Sequence, residues 1–388
     1  MNRLCTRLGS ITLLAGLSVR PSMCDARSDS ILVGALQRSY LVRLPSAYDG
    51  VDPLPLVIAM HGGFGSGAQL EQQSLLTAKA DEEGFIVVYP DGVPSNLGIR
   101  TWNAGGCCGY AMNNGIDDVG FINALLDTLL AAYAIDEQRV YATGMSNGGF
   151  MAYRLACELS ARIAAIAPVS ASMTIDVCQP DRPVPVLGLH SYLDESVPWQ
   201  GGIGNGVSAH YNSPQDSVQT VFAMFAGCTV LRDTIQNDAE LTVVRWHDCD
   251  CGSEMLLYMT HYGGHSWPGG TQTGGFADPP SQVIDANDLM WDFFQGHVLD
   301  CGDAGTGPAQ VSNTINIGPQ PNTGLVRITG GGLSHVRLLD AAGRELRAER
   351  PTGNTLEWDL TAVAPGRYLL LITDSEDRTL SRPLMLLR

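Results

Sequence analysis

The chain has 388 residues, 45% of them hydrophobic, and its formal net charge is −17 at pH 7. This length is sufficient for two domains, or for one large domain with an appendage. The strong negative charge argues against nucleic acid and against an anionic membrane surface as partners, because both repel an acidic protein.

Residues 1–26 are predicted to be a secretion signal. Arg3 and Arg7 precede an apolar stretch that is too short to span a bilayer, and Cys24-Asp25-Ala26 offers a small-residue cleavage site. Two alternatives are a lipoprotein signal that uses Cys24 and the first amphipathic helix of a cytosolic protein. No later stretch of the sequence is predicted to span a membrane.

Residues 27–298 are predicted to form an α/β domain, because apolar strand-like runs alternate with helical patterns. Such an alternation predicts a mostly parallel sheet flanked by helices, with the functional residues beyond the carboxyl ends of the strands. The predicted strands are 36–44, 54–60, 85–89, 139–143, 163–167, 184–189, 241–246 and 255–260. The predicted helices are 68–82, 118–133, 149–157, 218–225 and 283–294.

The last part of the chain has a different pattern of apolar and turn residues. Residues 299–313 are predicted to be a linker, and residues 314–388 a small all-β sandwich, because short strand-like runs are separated by turn residues and no helical period appears. The charge also changes: residues 314–388 contain nine arginines against eight acidic residues, so the negative charge belongs to the rest of the chain. This asymmetry favours two separate units.

The sequence around Ser146 predicts an activated nucleophile. Gly144-Met145-Ser146-Asn147-Gly148 follows a β-prone run and precedes a predicted helix, which is the setting of a G-x-S-x-G nucleophile elbow. The sharp turn exposes the serine hydroxyl, and the glycines keep strand and helix from colliding. The alternative interpretation is a glycine-rich helix cap with an idle serine.

A serine nucleophile needs a base, and the base needs an acid that orients it. His265 lies in a glycine-rich loop just after a predicted strand, whereas the nearby His261 ends that strand directly. Asp194 lies in a loop after a buried strand, with Glu195 beside it, between Ser146 and His265 in the chain. The order serine, acid, histidine is that of α/β-hydrolases. The alternative for His265 is a structural, hydrogen-bonded histidine.

The oxyanion hole is predicted to combine the backbone N–H of Asn147 with one from the loop that follows the first core strand. That loop is His61-Gly62-Gly63-Phe64-Gly65, so Gly63 or Phe64 supplies the second donor. No metal and no organic cofactor is required by this chemistry.

The eight cysteines beyond the predicted signal favour disulfides over a metal site in an exported chain, but the sequence leaves their pairing open. Cys107 and Cys108 are not expected to bond to each other, because adjacent cysteines rarely satisfy disulfide geometry. A bridge between Cys228 and Cys249 would brace the loop that carries His265.

Residues from about 35 to 298 resemble the secreted polyhydroxybutyrate depolymerases, feruloyl esterases and acetylxylan esterases of carbohydrate esterase family 1, an α/β-hydrolase family. The resemblance implies that Ser146, Asp194 and His265 form a catalytic triad, and Trp102 and Trp267 are predicted to contact the substrate. The chain departs from the family in having Ser191 where a glycine often follows His190, which puts the shape of that loop in doubt. The matching stretches are 61–63, 89–92, 102–103, 107–109, 117–121, 144–149, 194, 197–198 and 265–269.

Residues 314–388 resemble a C-terminal sorting domain of the type IX secretion system. This resemblance is carried by the stretch from Gly318 to Gly324, by Asp340 with Gly343-Arg344, and by the stretch from Leu360 through Pro365-Gly366-Arg367-Tyr368. It implies secretion machinery as a partner of this part of the chain. The alternative is a carbohydrate- or polymer-binding β-sandwich.

Together these features predict an exported serine esterase that acts on a polymeric or small ester, either a polyester or a feruloyl or acetyl ester of a polysaccharide. The loop from Val93 to Gly115 is expected to line the pocket. Asp117 and Asp118 are expected to cap the helix that begins there and to match its dipole. The competing interpretations are a non-catalytic, polymer-binding protein on a hydrolase-like fold and a peptidase of the same fold.

Overall fold

The computed structural model describes residues 27–175, 178, 180–206, 209–273, 278–300, 316–318, 324–340, 345–375 and 379–386. The predicted secretion signal, most of the predicted linker, and parts of the sorting-domain stretches at 319–323 and 341–344 lie outside these ranges. None of the helices in the described ranges is long and apolar enough to cross a membrane.

The strands up to residue 300 agree with the predicted α/β pattern. They are β1 (Arg27–Val33), β2 (Leu36–Arg43), β3 (Leu54–Met60), β4 (Ile86–Pro90), β5 (Val93–Pro94), β6 (Arg100–Thr101), β7 (Ile135–Met145), β8 (Ala165–Val169), β9 (Val186–Ser191), β10 (Gly202–Ile203), β11 (Tyr211–Asn212), β12 (Val230–Asn237), β13 (Leu241–His247) and β14 (Met255–Thr260). The helices are α1 (Gly67–Ser74), α2 (Leu76–Glu83), α3 (Gly109–Asn113), α4 (Asp118–Ala132), α5 (Asn147–Glu158), α6 (Gln215–Phe225) and α7 (Ala286–Gln295).

Ten strands form one sheet in the order β1-β2-β4-β3-β7-β8-β9-β14-β13-β12. The six central strands from β4 to β14 pair in parallel, and the two outer strands at each edge are antiparallel. The parallel strands share one direction, so the loops after β3, β7, β9 and β14 leave from the same edge of the sheet. The predicted mostly parallel sheet flanked by helices is confirmed.

Helices cover both faces of the sheet, which explains why the central strands are continuous apolar runs rather than alternating ones. In β3, Leu56 and Ile58 join a core that includes apolar residues of α4, α5 and α6. Val57 and Ala59 join a second core with residues of α1, α2 and α7. Each face therefore buries its own apolar layer, and the sheet edge remains available for the loops.

The predicted pattern lacks the short elements β5, β6, β10, β11 and α3, and it differs from the structure in three longer elements. The predicted helix over 68–82 is two helices, because Leu75 adopts a left-handed conformation with φ of 60° and ends α1. Strands β1 and β12 are missing from the prediction. Both are edge strands, and the described side chains of β12 are exposed, so neither carries the apolar signature of a buried strand.

The cysteine expectations are partly wrong. The structure bonds Cys107 to Cys108 across a cis peptide, against the expectation from adjacent cysteines, and it also bonds Cys157 to Cys178. The Cys228–Cys249 bond is present. However, the bond lies near the end of β13, where Trp246 pairs with Met255 at the start of β14. His265 follows the end of β14, at the opposite edge of the sheet. This bond therefore does not brace the His265 loop.

The described residues from 316 to 386 form two small antiparallel sheets, as predicted for an all-β tail. One sheet has the order β15-β16-β19 and the other β18-β17-β20-β21, where the strands are β15 (Asn316–Gly318), β16 (Leu325–Thr329), β17 (Leu333–Leu339), β18 (Glu345–Glu349), β19 (Thr355–Asp359), β20 (Gly366–Asp374) and β21 (Thr379–Leu386). Apolar residues of both sheets share one core, in which Trp358 is buried.

Candidate active site

Ser146 lies at the turn between β7 and α5, where its backbone has φ of 52° and ψ of −124°. This region is unfavourable for residues other than glycine, so the surrounding structure must impose it. A side chain on Gly144 would approach the carbonyl of Met60 to 2.6 Å, and one on Gly148 would collide with the same carbonyl. The two glycines therefore permit the close crossing of α5 over β3 that the elbow requires.

Asp194 and His265 come together at the carboxyl ends of β9 and β14. The Nδ1–H of His265 donates to Oδ2 of Asp194 at 2.9 Å. The other carboxylate oxygen accepts the backbone N–H groups of Ser196 and Val197 at 2.9 and 2.8 Å. With Nδ1 protonated, Nε2 of His265 is the nitrogen free to accept a proton.

The Asp194 carboxylate is only 3% exposed, yet it is held in its charged form. Burial raises its pKa, but the opposing effects of His265, His190 and the Val197 N–H outweigh burial, and the pKa lies below its ordinary value. His190 is itself buried, and burial lowers its pKa, so its neutral ring donates from Nε2 to the Val197 carbonyl at 2.8 Å. The loop that carries Asp194 is thus held by the Asp194 carboxylate through backbone N–H groups and by the His190 ring through the Val197 carbonyl.

Ser191, at the position where the chain departs from the family pattern, connects the two loops. Its hydroxyl donates to the carbonyl of Tyr262, in the loop that leads to His265, at 3.3 Å, and accepts the N–H of Leu193 at 3.0 Å. The serine therefore supports the loop shape on which the Asp194–His265 contact depends.

The loop after β3 packs against the nucleophile elbow, as expected for an oxyanion hole. A Cβ built on Gly62 would lie 3.5 Å from Cβ of Ser146, and one on Gly63 would lie 4.0 Å from Cβ of Asn147. Phe64 does not fit the predicted donor role, because its backbone N–H already donates to the Arg100 carbonyl at 3.0 Å. Of the two predicted second donors, only Gly63 therefore remains a candidate beside the predicted donor N–H of Asn147.

Trp102 is fully buried and is absent from the cleft wall, which corrects the prediction that it contacts substrate. Its backbone N–H donates to Oδ1 of Asn147 at 2.7 Å, and its carbonyl accepts from Nδ2 of Asn147 at 3.0 Å. Its indole N–H donates to the carbonyl of His61 at 2.9 Å. Trp102 thus links the two segments that carry the predicted oxyanion donors, a role that no sequence pattern indicated.

His61 is buried as a neutral ring. Its Nε2 accepts the N–H of Gly92 at 2.9 Å, which leaves the proton on Nδ1 to donate to the Gly62 carbonyl at 2.7 Å. Burial lowers its pKa to about 4. The imidazole therefore fixes the loop after β3 without adding charge to the site.

Trp267 is also buried, at 1% exposure, so the prediction of a substrate contact is wrong for this residue too. Its indole N–H donates to Oδ1 of Asn287 at 3.2 Å, and Nδ2 of Asn287 donates to the Ser74 carbonyl at 2.7 Å. The tryptophan two residues after His265 thus anchors the histidine loop to α7 and to the end of α1.

The two aspartates before α4 have separate functions. Asp117 accepts the N–H of Gly120 at 2.8 Å and caps the helix, as predicted. Asp118 is fully buried and pairs with the guanidinium of Arg38 at 2.6 Å, while its other oxygen accepts the N–H of Asn103 at 2.7 Å. This ion pair was not predicted, because Arg38 is distant in sequence.

Ser146, Asn147, Gly63 and His265 all line one open cleft of about 1600 Å³. The predicted pocket segment contributes to its wall through β6, the start of α3 and the residues near them. In the described ranges, the group with metal-like spacing is Cys107, Cys108 and His210, and the first two are bonded to each other.

Sequence comparisons find similarity to known esterases. Residues 38–176 match the family model described as esterase PHB depolymerase. Feruloyl esterase B of Piromyces equi is 30% identical over 239 residues, which cover 59% of this chain and 42% of that protein. Putative esterase NocK of Nocardia uniformis subsp. tsuyamanensis is 28% identical over 271 residues, which cover 65% of this chain and 77% of that protein.

Among solved structures, the acetyl xylan esterase from Aspergillus awamori has a TM-score of 0.46 and 16% identity, and the match covers 67% of this chain and 94% of that chain. The chain spans less than half the length of the Piromyces protein. The family match includes the loop after β3 and the nucleophile elbow, but ends before Asp194 and His265. Residues 38–176 therefore match the esterase PHB depolymerase family model, and the chain is similar in sequence to feruloyl and acetylxylan esterases.

Proposed function

We propose that the protein is a serine esterase that hydrolyses carboxylic esters through an acyl-enzyme intermediate. The observation that carries this proposal is the 2.9 Å contact between His265 Nδ1 and Asp194 Oδ2, in the cleft that Ser146 also lines. The buried carboxylate contacts an imidazole that lines the open cleft. It orients the imidazole and stabilises the imidazolium that forms when a serine proton is taken up.

The reaction proceeds in two halves. Nε2 of His265 takes the Ser146 proton while Oγ attacks the ester carbonyl, and the N–H groups of Asn147 and Gly63 stabilise the oxyanion. The alcohol leaves with the proton that His265 carries. Water, activated by His265, then attacks the acyl-serine and releases the carboxylic acid.

The substrate is an ester of a polymer, either a polyester of the polyhydroxybutyrate type or a feruloyl or acetyl ester of a polysaccharide. The family match and the feruloyl esterase relative support these classes. The open cleft of about 1600 Å³ exceeds the roughly 300–1,000 Å³ of typical small-molecule sites, and so has room for a polymer segment.

Purified protein assayed against p-nitrophenyl acetate, methyl ferulate, acetylxylan and polyhydroxybutyrate tests the proposal. Ser146→Ala is expected to lower hydrolysis on the order of 10⁶-fold. Ser30→Ala, on exposed β1, is the matched control. Hydrolysis that survives in Ser146→Ala contradicts the mechanism, and cleavage of peptides in preference to these esters contradicts the substrate class.

Export forms the second part of the proposal. Residues 1–26 act as a secretion signal, and residues 314–388 direct the chain to secretion machinery. Deleting residues 314–388 is expected to stop release into the medium while cell-associated esterase activity remains. Normal release of the truncated protein contradicts the sorting role and favours a binding module instead.

A further inference from the structure

Among the residues that the structure describes, the cleft is lined by acidic side chains without a compensating lysine or arginine. Its described lining residues include the exposed carboxylates of Glu195, Glu240 and Asp278 and no basic side chain other than histidine. Arg100, between two lining residues, has its guanidinium 3.9 Å from the Asp91 carboxylate. The nearby stretches 207–208 and 274–277 contain no lysine or arginine in the sequence.

The histidines do not reverse this balance. His210, which also lines the cleft, is partly buried, and burial lowers its pKa, so that its ring is neutral at neutral pH. The Asp194 carboxylate lies 2.9 Å from Nδ1 of His265 and balances the charge that this ring takes up during the proposed reaction. The resting cleft is therefore anionic.

The three carboxylates line the cleft on segments next to the loops of Asp194 and His265, and we call this side of the cleft the histidine flank. Glu195 follows Asp194 directly, and Oδ2 of Asp278 accepts the backbone N–H of His265 at 2.7 Å. Glu240 lies before β13, where its carbonyl accepts the N–H of His261 at 2.9 Å. The alcohol must take its proton from His265, so the alcohol portion of the ester lies on this same flank.

We propose that Glu195, Glu240 and Asp278 make the enzyme discriminate against esters whose alcohol portion carries a carboxylate, so that its substrates are neutral or cationic there. This rests on the proposed esterase function. Like charges that face each other across a cleft oppose binding, and the cleft focuses their field. In a polyester of hydroxy acids, the disfavoured bond is the one beside the free carboxyl end of the chain, and internal bonds are cleaved first.

A matched pair of acetate esters tests the proposal. 4-Acetoxybenzamide and 4-acetoxybenzoate share the acyl group and nearly share their size, but only the second is anionic. After each kcat/KM is divided by the rate of hydrolysis by hydroxide, the amide is expected to be preferred about tenfold at low salt. The preference is expected to shrink toward unity at about 0.5 M salt, because exposed charges are screened.

Neutralising the carboxylates supplies the second arm. The double variant Glu195→Gln/Glu240→Gln is expected to reduce the amide-to-benzoate ratio at least about threefold. The control Glu82→Gln/Glu137→Gln removes the same charge from exposed positions outside the cleft and is expected to leave the ratio unchanged. Equal use of both esters by the unmodified protein, or an equal ratio in both double variants, overturns the proposal.

A binding measurement separates this inference from the esterase function. Titration of Ser146→Ala with 4-hydroxybenzamide and 4-hydroxybenzoate is expected to show weaker binding of the anion, with the same salt dependence. If neither ester is hydrolysed, the esterase proposal fails, and the titration still decides the charge discrimination. Equal binding of the two phenols overturns it.

Discussion

Replacing Asp194 by asparagine is the sharpest perturbation of the candidate site. Oδ1 of Asp194 accepts two backbone N–H groups at 2.9 and 2.8 Å, so the asparagine oxygen is expected to keep these bonds. Its NH₂ group then faces Nδ1 of His265 in place of the carboxylate oxygen. Since two donors repel, the imidazole must carry its proton on Nε2. A protonated Nε2 can no longer accept the proton of Ser146.

The cost has two parts. The charged pair that forms during the reaction is lost; two unit charges about 4 Å apart attract by about 4 kcal/mol at an effective dielectric constant of about 20. The change of tautomer adds a further penalty, so a total of about 5 kcal/mol is expected. This corresponds to a fall in kcat on the order of 10⁴-fold, with a smaller change in KM.

Steady-state kinetics with p-nitrophenyl acetate measures this loss, and thermal unfolding monitored by circular dichroism checks that the variant folds. Asp52→Asn is the control, because this exposed carboxylate lies outside the cleft. Its kcat for this neutral ester is expected to stay within about threefold of the unmodified protein. An Asp194→Asn variant with kcat within tenfold of the unmodified protein would refute the role of Asp194.

Three further changes test the supporting structure. Gly148→Ala places a methyl group against the Met60 carbonyl and is expected to destabilise the fold by several kcal/mol, whereas Gly331→Ala, with open space around it, is expected to change the midpoint of urea unfolding little. Trp102→Phe leaves the His61 carbonyl without its indole donor, so about 1–3 kcal/mol of stability should be lost, with kcat reduced more than KM is changed. Burial lowers the pKa of His61 to about 4, so as the pH falls from about 6.5 to about 4 the unfolded chain takes up a proton first and stability decreases by about 3 kcal/mol. Urea unfolding across this range should show a shallower decrease for His61→Gln; an identical slope contradicts a buried neutral ring.

The sequence by itself determined which segments carry the candidate nucleophile, acid and base, and the order of these segments along the chain. A nucleophile elbow is a local pattern of strand, turn and helix, and Asp194 and His265 each follow a recognisable buried strand by a few residues. In a parallel sheet, strand ends meet at one edge, so local patterns predict a common site without a tertiary structure. The strands 54–60 and 255–260 are found with the predicted bounds, because each is a local run of apolar residues.

Only the tertiary structure decided which neighbouring groups serve the site directly and which support it. The Phe64 N–H donates to the Arg100 carbonyl. Trp102 bonds to Asn147, 45 residues away in the sequence. Asp118 forms an ion pair with Arg38, 80 residues away. These contacts arise from packing between distant segments, and no local period or spacing encodes them. An aromatic residue beside a catalytic motif can point to solvent or to the core with the same sequence around it. Trp102 is buried in the core that includes α4 on one face of the sheet, and Trp267 is buried in the core that includes α7 on the other face.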